Sequence, residues 1–264
     1  MPVTKTELKN LKSLWSKKGR RDYRLYPAEG VRLLEEALRQ RVFPEKIYYC
    51  ETRLSARERN LLIKFESHRV ISRALTEKQL EYLSQTQTPQ GLVGVFSLPA
   101  IEPTELLLAG NRKLLLCENI SDPGNLGTLI RSAAAFAFDL VVLSGGTAEP
   151  YNPKVVRSSA GAIFGMKILK VALKVLLTLV KKKNIYIIGT SPSGVEDMDR
   201  LRGFLEKRCF LLAVGSEADG LSEALLANCD RVVRIAHGNQ VESLNVAVAG
   251  SIVMKQVYDI LNRE

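Results

Sequence analysis

The stretch that decides the fold is "KLLLCENISDPGNLGTLIRSAAAFAF", residues 113–138. Its opening "KLLLCE" has the apolar character of a buried strand, and Asp122, Pro123 and Gly124 then supply the residues of a turn. The positions that follow are apolar at helical spacing and share one predicted face: Leu126, Leu129, Ile130, Ala133, Ala134 and Ala137. The stretch therefore predicts a strand, a loop and a helix packed on the strand.

One cation interrupts the small residues of this helix. Arg131 falls about 130° from the centre of the apolar stripe, so we expect it to face away from the core. The first turn of the helix offers backbone N–H groups to an anion or a ribose-phosphate. Two interpretations of Arg131 are open from this stretch: a solvated surface arginine, or a residue that serves a ligand.

Strand-like and helix-like runs alternate downstream. The predicted strands are "KLLLCE", "LVVLS", "KILKV", "IYIIG", "FLLAVG" and "RVVRI". The predicted helices are "GTLIRSAAAFA", "LKVLLTLVKKK", "SEALLAN" and the long final "ESLNVAVAGSIVMKQVYDILN". This alternation predicts an α/β fold with a buried parallel sheet.

The first part of the chain predicts a smaller α/β domain over residues 1–98. Residues 1–24 carry eight Lys or Arg against two acids and are expected to form one basic amphipathic helix. Trp15, in this helix, either contacts RNA or packs against the rest of the domain. A helix, "AEGVRLLEEALRQ", and the strands "KIYYC", "RVIS" and "GLVGVFSL" follow. Pro99 and Pro103 indicate a linker over 99–111, which leaves 112–264 as the second domain.

Charge and composition limit the classes of partner that the chain is expected to bind. The chain has 264 residues, 46% hydrophobic, with 38 Lys plus Arg against 28 Asp plus Glu, a formal net charge of +10. This balance favours a polyanion, nucleic acid before an acidic membrane surface. The most hydrophobic run, "ILKVALKVLLTLV", is too short to span a bilayer, so no membrane partner is expected.

The cysteines point to a reducing compartment. None of Cys50, Cys117, Cys209 and Cys229 forms a C-x-x-C pair, and the chain has two histidines. The pattern argues against a zinc site or a disulfide framework and favours free thiols in a cytoplasm, with no metal.

Two further loops combine glycine with polar residues after a predicted strand. In "AVGSEADGLSEAL", Gly215 lets the backbone approach a ligand, and Glu217 follows at the carboxyl edge of the sheet, as a ligand-facing acid or a helix cap. In "RIAHGNQVESLNVAVAG", Ser243 and Asn245 open the last helix, where such residues commonly act as caps. The chain lacks both G-x-G-x-x-G and G-x-x-x-x-G-K-[ST], which disfavours a Rossmann dehydrogenase or an NTPase.

Four motifs, in this order, resemble those of the SpoU/TrmH branch of the SPOUT RNA methyltransferases: "DPGNLGTLIRSAAAF", "NPKVVRSSAGAIF", "VGSEADGLS" and "ESLNVAVA". The resemblance covers residues 113–260, and a weaker one over 20–98 matches the family's small substrate-binding domain. It implies a parallel-sheet SPOUT domain with a C-terminal trefoil knot, preceded by a small α/β RNA-binding domain. The knot departs from the usual absence of threaded loops in proteins.

The resemblance also implies an activity. Such enzymes transfer a methyl group from S-adenosylmethionine to a ribose 2′-hydroxyl of structured RNA, here ribosomal RNA before transfer RNA, and they are homodimers with sites at the subunit interface. The residues that match the family's catalytic pocket are Asn125, Arg131, Glu217, Ser243 and Asn245. The resemblance assigns activation of the hydroxyl to Arg131, either as the base or as a residue that holds the ribose or a neighbouring phosphate. Those expected around the cofactor, in the knot, are Thr190, Gly215, Ile235 and Leu244.

Some features leave alternatives open. Arg157, in "VVRSSAG", is either an RNA contact or a surface arginine. Ala236 and His237 stand where the family usually has Pro-Met, and because proline fixes φ its loss is expected to loosen the cofactor-side loop. A non-catalytic RNA- or ribosome-binding protein and a base-methylating relative are the rival functions.

Overall fold

The computed structural model describes residues 3–84, 89–100, 113–194, 201–205, 209–238, 240–241 and 243–262. The chain forms two compact units, Met1–Ala100 with Tyr151–Gly165, and Ile101–Pro150 with Met166–Glu264. The linker expected over 99–111 lies almost wholly outside the described residues.

The segment Tyr151–Gly165 departs from the domain boundaries expected from the sequence, which place it in the second domain. It groups with the first unit because its helix packs on the strand Leu25–Glu29 and the rings of Tyr151 and Tyr26 lie 4.7 Å apart. In all other respects the boundaries 1–98 and 112–264 stay a prediction.

The first unit is built on a four-stranded mixed sheet. Its strands are β1 (Leu25–Glu29), β2 (Lys46–Tyr49), β3 (Ile71–Ala74) and β4 (Leu92–Ser97), in the order β1-β4-β2-β3. The last three are the strands that the sequence predicts. The sequence reading missed β1, because Pro27 lacks the N–H of a ladder residue; β1 lies at the edge of the sheet, where a proline is tolerated.

The helices of the first unit include a correction at its start. They are α1 (Lys5–Ser13), α2 (Lys17–Tyr23), α3 (Val31–Arg39), α4 (Ala56–Ser67), α5 (Glu77–Leu83) and, further along the chain, α7 (Pro153–Ser158). The single helix expected over residues 1–24 is wrong, because Ser16 leaves the helical conformation and its side chain caps α2 by accepting from the Gly19 N–H at 3.1 Å. Trp15 is buried in the apolar cluster beneath this turn.

The second unit contains a six-stranded, fully parallel sheet, as predicted. Its strands are β5 (Lys113–Glu118), β6 (Leu140–Ser144), β7 (Lys167–Lys170), β8 (Tyr186–Thr190), β9 (Phe210–Val214) and β10 (Arg231–Val233), in the order β10-β8-β9-β5-β6-β7. Every residue of β9 is buried, as expected of a strand covered on both faces. The trefoil knot stays a prediction.

The helices of the second unit are α6 (Pro123–Ala135), α8 (Leu173–Lys182), α9 (Arg202–Leu205), α10 (Glu223–Leu226) and α11 (Val246–Asn262). Asp122 caps α6 by accepting from the Asn125 N–H at 2.9 Å, and Pro123 occupies the first turn. Four predicted face residues of α6 are buried, whereas Ala134, in the last turn, and Ala137, beyond the end of the helix at Ala135, are exposed. None of the described helices is long and apolar enough to cross a membrane.

The packing of α6 against α11 is close enough to require a glycine. A Cβ atom on Gly250 would lie 2.5 Å from Leu129 Cδ2, and Ser132 and Ser251 join the same two helices by a hydroxyl hydrogen bond of 2.7 Å. This contact fixes the spacing of two helices whose first turns both reach the carboxyl edge of the sheet.

We expect Gly250→Ala to destabilise the fold, although alanine favours helices more than glycine does. Overpacking against Leu129 should lower the free energy of unfolding by about 1–3 kcal/mol, measured by urea denaturation. The matched control is Gly203→Ala in α9, whose Cβ position has no described neighbour within 4 Å. Equal stabilities for the two variants would contradict the close packing.

Candidate functional site

A cavity of about 430 Å³ opens at the carboxyl edge of the parallel sheet of the second unit. Parallel α/β sheets bind ligands at this edge, because the loops after successive strands converge there. The four residues expected around a cofactor all line it: Thr190 at the end of β8, Gly215 after β9, Ile235 after β10 and Leu244 before α11.

Gly215 allows the wall of this cavity to form. The loop after β9 turns back on itself, with the N–H groups of Ser216 and Gly220 each donating to the other's carbonyl at 3.0 and 3.1 Å. A Cβ on Gly215 would stand 2.1 Å from the Gly220 backbone, and Gly220 itself has a φ of +67°. The turn therefore requires glycine at position 215 and favours it at position 220.

Beside the cavity, three predicted pocket residues form one hydrogen-bonded network. The Asn125 side-chain amide donates to Glu217 Oε1 at 2.7 Å, and the Asn245 amide donates to the same oxygen at 2.6 Å. Asn245 Nδ2 also lies 3.1 Å from Asn125 Oδ1 and donates to it. The first turn of α6, the loop after β9 and the segment before α11 thus meet at one carboxylate.

Asn245 has a second task within the network. Its Oδ1 accepts the N–H groups of Ala247 at 3.0 Å and Val248 at 3.2 Å, which makes it the cap of α11. Because the oxygen serves the helix and the nitrogen serves Glu217, both interpretations offered by the sequence, cap and site residue, describe the same side chain. The amide's orientation follows from this division, since only Nδ2 can donate to a carboxylate.

Glu118 supports the loop from behind and was not among the predicted residues. Its carboxylate, at the buried end of β5, accepts the Ser222 N–H at 2.9 Å and the Ser222 hydroxyl at 2.8 Å. This contact ties β5 to the residues that follow the Glu217 turn. The sequence does contain a feature that could have identified it, because Glu118 is an acidic residue at the carboxyl end of a largely apolar strand.

The remaining predicted residues lie apart from the network. Ser243 is exposed and lines the cavity. Arg131 is exposed on α6 and has no hydrogen bond or ion pair with the part of the chain that the structure describes. Arg157 is exposed on α7 and belongs to the first unit, so its assignment as an RNA contact stays a prediction.

His237, at the departure from the family pattern, also lines the cavity. Its ring Nδ1 lies 3.0 Å from the Gly238 carbonyl oxygen, and the side chain is exposed. Position 237 therefore presents an imidazole to the ligand space. Among the described residues, no group of three or more His, Cys, Asp or Glu is arranged to hold a metal ion.

The fold and site define an α/β protein with a polar network beside a cavity of mixed lining at the carboxyl edge of a parallel sheet. The model of the SpoU rRNA Methylase family matches residues 112–255, and that of the MRM3-like substrate binding domain matches residues 5–94. The first match covers more than half of the chain. The protein belongs to the SpoU rRNA methylase family.

Individual relatives agree with this assignment. The chain is 32% identical to the 23S rRNA (guanosine(2553)-2′-O)-methyltransferase RlmP of Bacillus subtilis, over 94% of each chain. It is 25% identical to the SpoU methyltransferase AviRb of Streptomyces viridochromogenes, solved in complex with AdoMet, with a TM-score of 0.85 over 97% of each chain. The AdoMet-bound rRNA methyltransferase of Sinorhizobium meliloti, 23% identical, shares the fold with a TM-score of 0.85 over 100% of this chain and 98% of its own.

The two tasks of Asn245 can be separated by substitution. We expect Asn245→Ser to keep the α11 cap and to lose the donors to Glu217, whereas Asn245→Ala should lose both. Thermal unfolding should therefore show a loss of about 1 kcal/mol for the alanine variant and only a few tenths for the serine variant. Equal destabilisation would mean that the cap does not depend on Oδ1.

Proposed function

We propose that the protein transfers a methyl group from S-adenosylmethionine to a ribose 2′-hydroxyl of ribosomal RNA. The observation that carries the proposal is the Asn125–Glu217–Asn245 network beside the cavity, in a chain of the SpoU rRNA methylase family. RlmP and AviRb, named as a 23S rRNA 2′-O-methyltransferase and a SpoU methyltransferase, support the reaction and the RNA class.

The cavity suits S-adenosylmethionine in size and lining. Its volume of about 430 Å³ lies in the range of small-ligand sites. Val214, Leu221 and Ile235 offer apolar surface, and Gly215 keeps the backbone free of a Cβ at the wall. Thr190 and Leu244 complete the proposed cofactor contacts. When bound, S-adenosylmethionine supplies an electrophilic methyl group on a sulfonium, so alignment is the main requirement on the protein.

The polar network provides that alignment. Asn125 and Asn245 orient the exposed Glu217 carboxylate toward one arrangement through two charge-assisted hydrogen bonds. Arg131 is the proposed partner of the ribose. A guanidinium stays protonated and has no acceptor lone pair, so it donates to the hydroxyl oxygen and stabilises the developing alkoxide, while the hydroxyl proton passes to solvent water at the open cavity. Ser243 extends the polar rim of the cavity.

The geometry of α6 supports a homodimer in which Arg131 serves the partner's site. Arg131 lies six residues beyond Asn125, which is about 9 Å along the helix and about 120° around it. Its side chain therefore leaves the helix on a different face from the Asn125 amide. Two apolar residues of α11, Val248 and Tyr258, are 49% and 36% exposed and provide surface for a partner.

Two further expectations complete the proposal. The first unit, which matches an MRM3-like substrate binding domain, would bind the RNA, with the net charge of +10 favouring its phosphates. The four free cysteines suit a reducing cytoplasm.

Transfer RNA is the alternative substrate. Methyl transfer to isolated ribosomal RNA, with transfer RNA as the comparison, decides between the two, and transfer to neither would overturn the proposed function.

Arg131→Ala should abolish methyl transfer while leaving the affinity for S-adenosylmethionine nearly unchanged, because Arg131 is absent from the cavity lining. Removing one donor to a developing oxyanion typically lowers the rate by about 10²–10³-fold. Isothermal titration with S-adenosylmethionine and a radiolabelled methyl-transfer assay measure the two quantities. Wild-type activity in the variant would exclude Arg131, and no heat from the wild-type protein would favour a non-catalytic RNA binder.

Mixing two inactive variants tests whether Arg131 acts across the dimer. If Arg131 and Asn245 of one site come from different protomers, Arg131→Ala mixed with Asn245→Ala restores one intact site in each heterodimer. Random exchange then gives about one quarter of wild-type activity. The control is each variant alone under the same refolding. An inactive mixture, with heterodimers verified by mass spectrometry, would place both residues in the same protomer.

A further inference from the structure

A second cavity, of about 420 Å³, lies within the first unit between α1 and the sheet. Its floor is apolar, formed by Leu11, Leu14 and Val95, all of which are buried. One polar wall carries Glu7 and Tyr48. An apolar floor beside a few positioned polar groups is the arrangement typical of small-ligand sites.

The Glu7 carboxylate is held in place as a charged acceptor. Tyr48 donates its hydroxyl to Glu7 Oε1 at 2.9 Å, and Lys46 Nζ donates to the same oxygen at 3.2 Å. Burial opposes ionisation, but these hydrogen bonds and the charge of Lys46 outweigh it and lower the pKa of Glu7 below its ordinary value. Glu7 Oε2 has no hydrogen bond from any residue that the structure describes, so it can accept from a ligand.

An exposed tyrosine lines this cavity, and exposed cations lie near that tyrosine in the sequence, outside the lining itself. The charged residues of the lining are Glu7, Glu45 and Lys46. Tyr23 lines the cavity with a side chain that is 46% exposed, and Lys17, Lys18 and Arg24 are exposed in the same short stretch. The segment 17–24 holds five cations and one acid. An exposed ring beside clustered cations is the combination that binds an unpaired nucleotide, because the ring stacks on the base and the cations pair with phosphates.

Helix α2 is anchored, so these groups are held in position. The Arg20 side chain is buried and donates to the carbonyl oxygens of Leu14 and Trp15, both at 3.0 Å. A Cβ on Gly19 would lie 2.1 Å from the Ser13 carbonyl oxygen, which shows how closely α2 meets the end of α1. The outward side of α2 is therefore a fixed basic surface.

We propose that this cavity binds a guanine base splayed out of a single-stranded or looped part of the RNA substrate. Guanine presents adjacent N1–H and N2–H donors on its Watson–Crick edge, which suit the open oxygen of Glu7, while Tyr23 stacks on the base. The basic side of α2 takes the flanking phosphates. This subsite deepens the proposed function and rests on it, since it assumes that RNA is the substrate.

The full-length protein without S-adenosylmethionine provides the test. Trp15 is the single tryptophan and packs in the same apolar cluster as Leu11 and Leu14, so its fluorescence reports on the cavity. The probes are short uridine RNAs with guanosine, inosine or uridine at the centre. We expect guanosine to bind roughly tenfold more tightly than uridine, with inosine between them because it lacks N2–H.

Two substitutions, each with a matched control, separate the parts of the subsite. Glu7→Gln should remove the preference for guanosine, whereas Glu81→Gln, on α5 and away from the cavity lining, should retain it. Tyr23→Ala should weaken binding of the guanosine RNA roughly 5- to 100-fold. Tyr82→Ala removes an equally exposed tyrosine, one that packs on Lys12 and not at the cavity, and should have no such effect.

Equal affinity for all three RNAs would overturn the subsite, as would a Glu7→Gln variant that keeps the preference and a folded circular-dichroism spectrum. Equal affinity combined with an unchanged salt dependence in Lys17→Ala would also exclude phosphate contacts at α2. These failures leave methyl transfer to ribosomal RNA intact. Loss of the proposed function appears differently, as guanosine preference without any methyl transfer.

Discussion

The site of the second unit depends on one carboxylate oxygen of Glu217, which accepts hydrogen bonds from the side-chain amides of Asn125 and Asn245. Asn125 lies in the first turn of α6, Glu217 follows β9 and Asn245 precedes α11, so these hydrogen bonds join three segments that are 28 to 120 residues apart in sequence. Charge-assisted hydrogen bonds of this kind hold geometry better than neutral ones. Without them, the loops would share a sheet edge but no common arrangement around the cavity.

The rest of the second unit maintains the conditions for this contact. The parallel order of β5, β9 and β8 brings the loops to one edge, and the close approach of Gly250 to Leu129 sets the distance between α6 and α11. Glu118 holds the far side of the Glu217 turn through Ser222. A sulfonium methyl is already electrophilic, so the protein's main task is to orient the ribose oxygen. The network can therefore serve catalysis by positioning groups, without acting as a strong acid or base.

Much of this arrangement could be predicted from the sequence. The six apolar strands and the parallel sheet follow from alternation with helices, and Glu217 was expected at the carboxyl edge of that sheet. The sequence could not show that Asn245 both caps α11 and donates to Glu217, because that pairing depends on three-dimensional packing. It also missed β1, where Pro27 obscures the strand, and the break at Ser16, where a cap interrupts a continuous helical pattern.

The product of the reaction tests the central claim most directly. The protein would be incubated with ribosomal RNA and S-adenosylmethionine carrying a deuterated methyl group, and the RNA would then be digested to nucleosides and fragmented by mass spectrometry. The account predicts the deuterated methyl group on the ribose fragment, lost when Glu217 is replaced by glutamine in a folded protein. A deuterated methyl group on the base fragment would contradict it.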